Sequence, residues 1–312
     1  MKRRASFLVA TLCLAGGLLS PLGAATTATA TQLAKVKAAV KLNTVSTAIA
    51  KGLSLDPLDQ PNQLSVFKTC SAIGDCDWSN GSKGANVVIM GDSHAYMWSP
   101  AIETALAPYH VRVRLVWLLG CPVADVKVWG TYSNPNVPYT TCSVWRTKIF
   151  KRIASYHPSA VILTERTYDT YTSQNVLLSN HDLVSGLEQT IRFFTALKAK
   201  VVVIGDDPAH PNFLSPPQCL SQHLTHATSC AVPVTGAPAR WQSRSPLELQ
   251  AAAAAGASFV DTVPWLCAAN RCPAIIGGFG VYQDWSHVRA HYALALAPVM
   301  AEALVPALGL KH

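Results

Sequence analysis

The sequence predicts an α/β fold: a three-layer α/β/α sandwich on a five-stranded parallel sheet. Three observations lead there. Short runs of β-branched and aliphatic residues recur along the chain, separated by segments of helix length, the alternation of parallel strands with crossover helices. The runs are apolar at successive positions rather than at every second one, as in strands covered on both faces. Half of the 312 residues are apolar and only 13% are charged, which suits one large core and excludes a disordered chain.

The elements follow in order. Lys2, Arg3 and Arg4 precede an apolar stretch from Phe7 to Leu19, and small residues follow around Ala24 and at Ala28-Thr29-Ala30. Residues 1–30 therefore read as a secretory signal peptide, which places the protein in the cell envelope or outside the cell. Residues 31–68 read as a short lead-in helix and an extended linker through Asp56-Pro57-Leu58-Asp59-Gln60-Pro61-Asn62. The domain proper is expected over 69–312. Its strands are expected at Asn86–Met90, Val111–Leu118, Ala160–Thr164, Lys200–Ile204 and Ser258–Asp261. Helices are expected at Tyr96–Ala107, Val144–Tyr156, Leu183–Lys198, Leu247–Ala255 and Arg289–Leu304, the last kinked at Pro298. In such a sheet, ligands bind beyond the carboxyl ends of the strands. The long Pro-, Ser- and Asn-rich segments Cys121–Thr141 and Pro208–Pro246 leave those ends and are expected to surround the site.

Composition narrows the function class. Without Lys2, Arg3 and Arg4 the net charge falls from +8 to +5. No basic block interleaves with aromatics, so nucleic-acid binding has no support. Apart from Cys13, eight cysteines remain: Cys70, Cys76, Cys121, Cys142, Cys219, Cys230, Cys267 and Cys272. An even number in an exported chain indicates disulfides, although eight cysteines allow about 105 connectivities. They fall into neighbouring couples, and the expected pairing is Cys70–Cys76, Cys121–Cys142, Cys219–Cys230 and Cys267–Cys272. No CxxC recurs and no HExxH occurs, so neither a metal site nor a cofactor is expected.

Two short segments carry candidate chemistry. Gly91-Asp92-Ser93-His94 joins the first strand to the first helix. A serine there meets the N–H groups of a helix N-terminus, where an oxyanion is stabilised. Read without the second segment, Asp92 and Ser93 serve equally well as helix caps. Asp284-Trp285-Ser286-His287 precedes the last helix. Its spacing lets the carboxylate and the imidazole point into one cleft, as a serine nucleophile needs from its base and the group that orients it.

Together these segments resemble the first and last signature blocks of the SGNH hydrolase superfamily. More narrowly, the chain resembles the SGNH domain fused to acyltransferase-family-three membrane proteins, which O-acylate bacterial envelope glycans. The resemblance runs from about Cys70 to Leu304. It passes through Gly120-Cys121-Pro122, Val201–Gly205 with Pro208, Cys219, Val260-Asp261-Thr262, Cys267, Cys272 and Tyr282-Gln283-Asp284. It implies a flavodoxin-like SGNH hydrolase fold with Ser93 as nucleophile, His287 as general base and then acid, and Asp284 as its orienter. The backbone N–H groups of Ser93 and Gly120 would be oxyanion donors. Where typical members keep an Asn after the third strand, this chain has Thr164-Glu165-Arg166-Thr167. Arg166 would replace that donor, or sit at the rim paired with Glu165 or Asp169. His94 would be structural or line the substrate, and Trp285 is the aromatic best placed to meet a sugar. The implied activity is serine-dependent transfer of O-acyl groups, O-acetyl above all, as O-acyltransferase or esterase. The implied partners are an envelope polysaccharide or glycolipid and a membrane acyltransferase that supplies acyl groups. The alternative is a non-catalytic glycan-binding module that retains the fold.

Overall fold

The computed structural model describes residues 27–53, 73–79, 84–131, 134–166, 170–174, 176–208, 210, 215–237 and 239–311. Most of the expected signal peptide, the Asp56–Asn62 linker, Cys70 and Asp169 lie outside them.

The central sheet has six strands. Their order is Ile73–Asp75, Arg112–Leu118, Asn86–Gly91, Ala160–Thr164, Lys200–Ile204, Ser258–Val260. The five expected strands are parallel to one another. The sixth, Ile73–Asp75, pairs antiparallel at the edge beside Arg112–Leu118. It corrects the expectation of a five-stranded, wholly parallel sheet. Ile73-Gly74-Asp75 has no strand pattern of its own and is held from outside. Arg114 and Arg152 form ion pairs with Asp75, and the Tyr156 hydroxyl donates to it at 2.8 Å.

The strands are apolar on both faces because each face carries a helical layer. Val87 and Ile89 pack with Trp98, Ile102, Met300 and Leu304 on one side. Val88 and Met90 pack with Ile153, Leu187, Ile191 and Phe194 on the other. Alternate side chains along one strand thus enter opposite cores. The first layer holds helices Ser93–Leu106, Ala290–Ala295 and Ala297–Leu308; the second holds Thr140–Ser155, Asn180–Ala196 and Ala239–Ala255.

Several boundaries differ from the sequence pattern. The first domain helix begins at Ser93 rather than Tyr96, because Asp92 caps it by accepting from the His94 N–H at 2.8 Å. The closing helix is two helices meeting at Leu296. Pro298 falls in the first turn of the second piece, where its missing N–H costs no intrahelical bond. At the other end, Thr27–Ala39 forms a helix docked on the domain rather than a free lead-in. Ala28 and Thr29 donate backbone N–H bonds to Glu302 at 3.0 and 2.8 Å. Gln32 donates to the Trp265 carbonyl at 2.7 Å and the Tyr292 hydroxyl at 2.9 Å. No helix of the described residues is long and apolar enough to cross a membrane.

Disulfides join Cys121–Cys142, Cys219–Cys230 and Cys267–Cys272. Cys76 is also disulfide-bonded; its expected partner Cys70 lies outside the described residues. The Cys219–Cys230 bridge ties the Pro216–Gln222 helix into a small separate core with Val45, Leu53, Leu220, Ala227, Ala274 and Ile275.

Candidate active site

Strand register places the site. Gly91 lies opposite Trp117 on one neighbouring strand and Thr164 on the other, while Val203 faces Leu163 and Ile204 faces Val260. The residues that follow therefore emerge at one edge of the sheet: Asp92-Ser93, Gly120, Glu165-Arg166 and Asp206-Asp207. Gly91 has no room for a side chain. A Cβ there would lie 1.9 Å from the Thr164 carbonyl oxygen and 2.8 Å from the Ala95 Cβ. This close approach lets the chain turn sharply from strand to helix. The buried Asp92 carboxylate fastens the turn. One oxygen takes the His94 N–H and the other takes the Arg166 N–H at 3.0 Å.

The closing loop meets this turn. An isolated bridge between Tyr282 and Val288 brackets the loop, and the Gln283 N–H donates to the His287 carbonyl at 2.8 Å. His287 Nε2 lies 2.9 Å from Ser93 Oγ. His287 Nδ1 lies 2.8 Å from Asp284 Oδ2 and 3.0 Å from Oδ1. Asp284 Oδ1 also accepts the backbone N–H groups of Ser286 and His287 at 2.8 and 2.9 Å. Burial pushes the Asp284 carboxyl up, but the hydrogen bond and charge of His287 and these two N–H groups outweigh it and hold it down at about 2. The carboxylate is thus fixed as an acceptor for the imidazole. Ser93, His287 and Asp284 form one hydrogen-bonded chain across residues 194 apart in sequence.

The other expected site residues are distributed around that chain. Gly120 takes a left-handed conformation with φ 65° in the turn after Arg112–Leu118, at the same sheet edge as Ser93. The Arg166 guanidinium lies over the Trp285 ring, 5.5 Å from its centre, so it borders the closing loop. Glu165 does not accompany it. It is 1% exposed and accepts the Ala124 N–H at 3.0 Å, and burial pushes its carboxyl up to about 7. Trp285 is half-buried against Ala237 and Trp241, and its carbonyl accepts the His210 N–H at 2.7 Å.

His94 corrects one expectation. It is 0% exposed and cannot line a substrate cleft. As the second residue of its helix it turns inward, beneath His287, with ring centres 5.0 Å apart. Its Nδ1 lies 2.9 Å from Asp206 and 3.4 Å from Asp207. Sequence reading did not single out these two aspartates. The available signal was their position: Gly205-Asp206 leaves the sheet as Gly91-Asp92 does. One donor atom from each of His94, Asp206 and Asp207 lies within 4.8 Å of the others, a group able to hold a cation. The charges are better matched by a proton. Burial pulls the His94 pKa down, but the charge and hydrogen bond of Asp206 and the charges of Asp207 and Asp92 lift it to about 9. Burial raises Asp207 to about 8.

Beyond Asp284 a cleft of about 500 Å³ opens, lined by Leu53, Ser215, Pro217, Gln218, Ser221 and Gln283. Among the described residues it presents hydroxyl and amide groups beside two apolar residues, and Asp284 is the ionisable one.

The chain is similar to solved structures that are distant from it in sequence. The periplasmic domain of the lipopolysaccharide acetyltransferase of Salmonella ser. Paratyphi A superposes with a TM-score of 0.54 at 15% identity, covering 72% of this chain and 85% of that one. A carbohydrate acetylesterase from Sinorhizobium meliloti superposes with a TM-score of 0.46 at 14% identity, covering 71% and 99%. Among curated proteins, none matches the chain significantly in sequence. The family model of the SGNH domain fused to AT3 domains matches residues 59–302. With the strand order, the Gly91–His94 turn and the Asp284–His287 loop all inside that match, the chain belongs to this SGNH family.

Proposed function

We propose that the protein is a serine-dependent acyl-transfer enzyme that acts on O-acyl esters of envelope glycans. The observation that carries this reading is the chain from Ser93 Oγ through His287 to Asp284, at 2.9 and 2.8 Å. These are the distances of a nucleophile, its base and the base's orienter.

The steps follow from the geometry. Ser93 Oγ attacks the ester carbonyl while its proton passes to His287 Nε2. Asp284 stabilises the resulting imidazolium from the Nδ1 side. The tetrahedral oxyanion forms at the first turn of the Ser93–Leu106 helix, where Asp92 takes the N–H groups of His94, Ala95 and Tyr96 and the Ser93 N–H is left to face it. Ser93 and Gly120 N–H groups, with the Arg166 guanidinium at the rim, are the proposed donors. His287 returns the proton to the departing alkoxide, leaving acyl-Ser93. Water or a sugar hydroxyl then gives its proton to His287 and takes the acyl group, and His287 passes that proton to the departing Ser93 Oγ, which restores both groups.

The hydroxyl and amide groups that line the cleft at Asp284 support a polyhydroxylated substrate. The disulfides support an oxidising, extracytoplasmic setting, in keeping with export on an N-terminal signal peptide. Family membership supports a working partnership with a membrane acyltransferase as acyl source, and the lipopolysaccharide acetyltransferase relative supports a glycan as acceptor. The test is covalent labelling. A serine-reactive phosphonate should label Ser93 in the native protein and leave Ser93→Ala unlabelled. Turnover of a small acetyl ester, with and without oligosaccharide acceptors, then separates hydrolysis from transfer. A folded protein that is neither labelled nor active on acetyl esters is instead a glycan-binding module.

A further inference from the structure

We propose that His94 is a positioning residue for the triad, its buried ring clamped by Asp206 and Asp207 so that it props His287 toward Ser93. The inference rests on the acyl-transfer reading, because His94 acts through His287.

Three segments converge on this ring. His94 follows Ser93 directly, and its backbone N–H is bound by Asp92. Asp206 and Asp207, both 1% exposed, grip Nδ1 from the end of the Lys200–Ile204 strand. The other side of the ring meets His287 at 5.0 Å between centres, tilted by 58°. The same segment then braces the closing loop, since His210 donates its backbone N–H to the Trp285 carbonyl. Asp206, Asp207 and His210 therefore hold both the prop against His287 and the loop that carries it. Burying carboxyl groups this deeply is costly unless a charge partner is at hand, and the His94 ring, 2.9 Å from Asp206, supplies one.

The charges around the ring are these. Asp206 and Asp207 face Nδ1, Asp92 lies on the same turn, and Asp284 and His287 lie on the closing loop. Behind Asp206, Glu248 accepts its N–H at 3.5 Å and stays protonated through burial. His210 is kept neutral by burial, with its pKa at about 4. Tyr282, buried near Asp207, also stays protonated. The cation nearest His287 among these groups is His94.

The experiment compares wild type, His94→Gln and the near-isosteric Asp206→Asn on a small acetyl ester. His94→Gln should lower kcat about 10- to 100-fold with KM unchanged, the cost of a misaimed base. A merely structural role would instead lower the fraction of Ser93 that a serine-reactive phosphonate titrates and leave kcat per titrated site unchanged. Asp206→Asn should lower kcat in the same sense and decides the matter if His94→Gln does not fold. In the native protein, nitrogen NMR of labelled histidine should show His94 protonated at pH 7, and metal analysis should show no stoichiometric ion at the cluster. Unchanged kcat per titrated site in a folded variant, a neutral His94, or a stoichiometric metal would each overturn the proposal. An inactive, unlabelled wild type would instead sink the acyl-transfer reading, and the NMR measurement would still report on His94.

Discussion

Asp284→Asn is the substitution whose outcome the geometry specifies most closely. The carboxylate uses one oxygen to take the Ser286 and His287 backbone N–H groups and the other to face His287 Nδ1 at 2.8 Å. An asparagine has one acceptor oxygen. If that oxygen keeps the backbone bonds, its NH2 faces Nδ1, and the imidazole must accept there. The ring proton then sits on Nε2, 2.9 Å from Ser93 Oγ, where a lone pair is needed. Loss of kcat of about 10³- to 10⁴-fold is expected from this wrong tautomer, or about 4–5.5 kcal/mol of barrier. The stability cost is much smaller. Moving a carboxyl from 3.8 to about 2 corresponds to about 2.4 kcal/mol. The side chain is 38% exposed, so solvent screening reduces this to about 1 kcal/mol. Turnover of an acetyl ester and thermal unfolding of the same preparations give both numbers. A variant that loses less than about tenfold in kcat would refute the tautomer argument. So would an activity loss that merely tracks the unfolded fraction.

Other outcomes follow from single contacts. Gly91→Ala forces a Cβ to 1.9 Å from the Thr164 carbonyl oxygen, so it should cost about 3 kcal/mol or more, or prevent folding; a wild-type melting curve would contradict the close approach. Arg166→Ala should lower kcat about 10²-fold if the guanidinium meets the oxyanion, and a folded variant with unchanged kcat would leave Arg166 as a partner of Trp285 alone. Stability should also depend on pH at both extremes. Asp284, depressed to about 2, contributes fully above its unfolded value near 4, and that contribution is lost as pH falls from about 4 through 2. His94, raised to about 9, contributes fully below its unfolded value near 6.5, and that contribution is lost as pH rises through 9. Melting temperatures of wild type and Asp284→Asn should therefore converge in acid; a constant gap down to pH 2 would exclude the linkage.

Both motifs of the candidate site can be read in the sequence because each lies within a few residues. A glycine, a capping aspartate and a serine between an apolar strand and a helix describe one turn. An aspartate three residues before a histidine describes one loop. The five parallel strands are equally local, since burial on both faces writes an unbroken apolar run. The Ile73–Asp75 edge strand was not legible, because its reason is the ring of Arg114, Arg152 and Tyr156 that folding gathers around Asp75. A lead-in helix was legible there, but the docking of Thr27–Ala39 was not, since Glu302, Trp265 and Tyr292 anchor it from the far end of the chain.

His94 shows where the two kinds of information part. Its sequence position marks it as the neighbour of the nucleophile, and nothing local says which way it points. The helix turns Ser93 toward His287 and the next side chain inward. Only the arrival of the Lys200–Ile204 strand end places two aspartates on Nδ1 and makes a buried charge tolerable. Periodicity, capping and short spacings are settled by neighbours along the chain, so they can be read from it. Burial, ion pairing and the distance from Ser93 to His287 depend on segments up to 194 residues apart meeting at one sheet edge, and strand order and register alone decide that meeting.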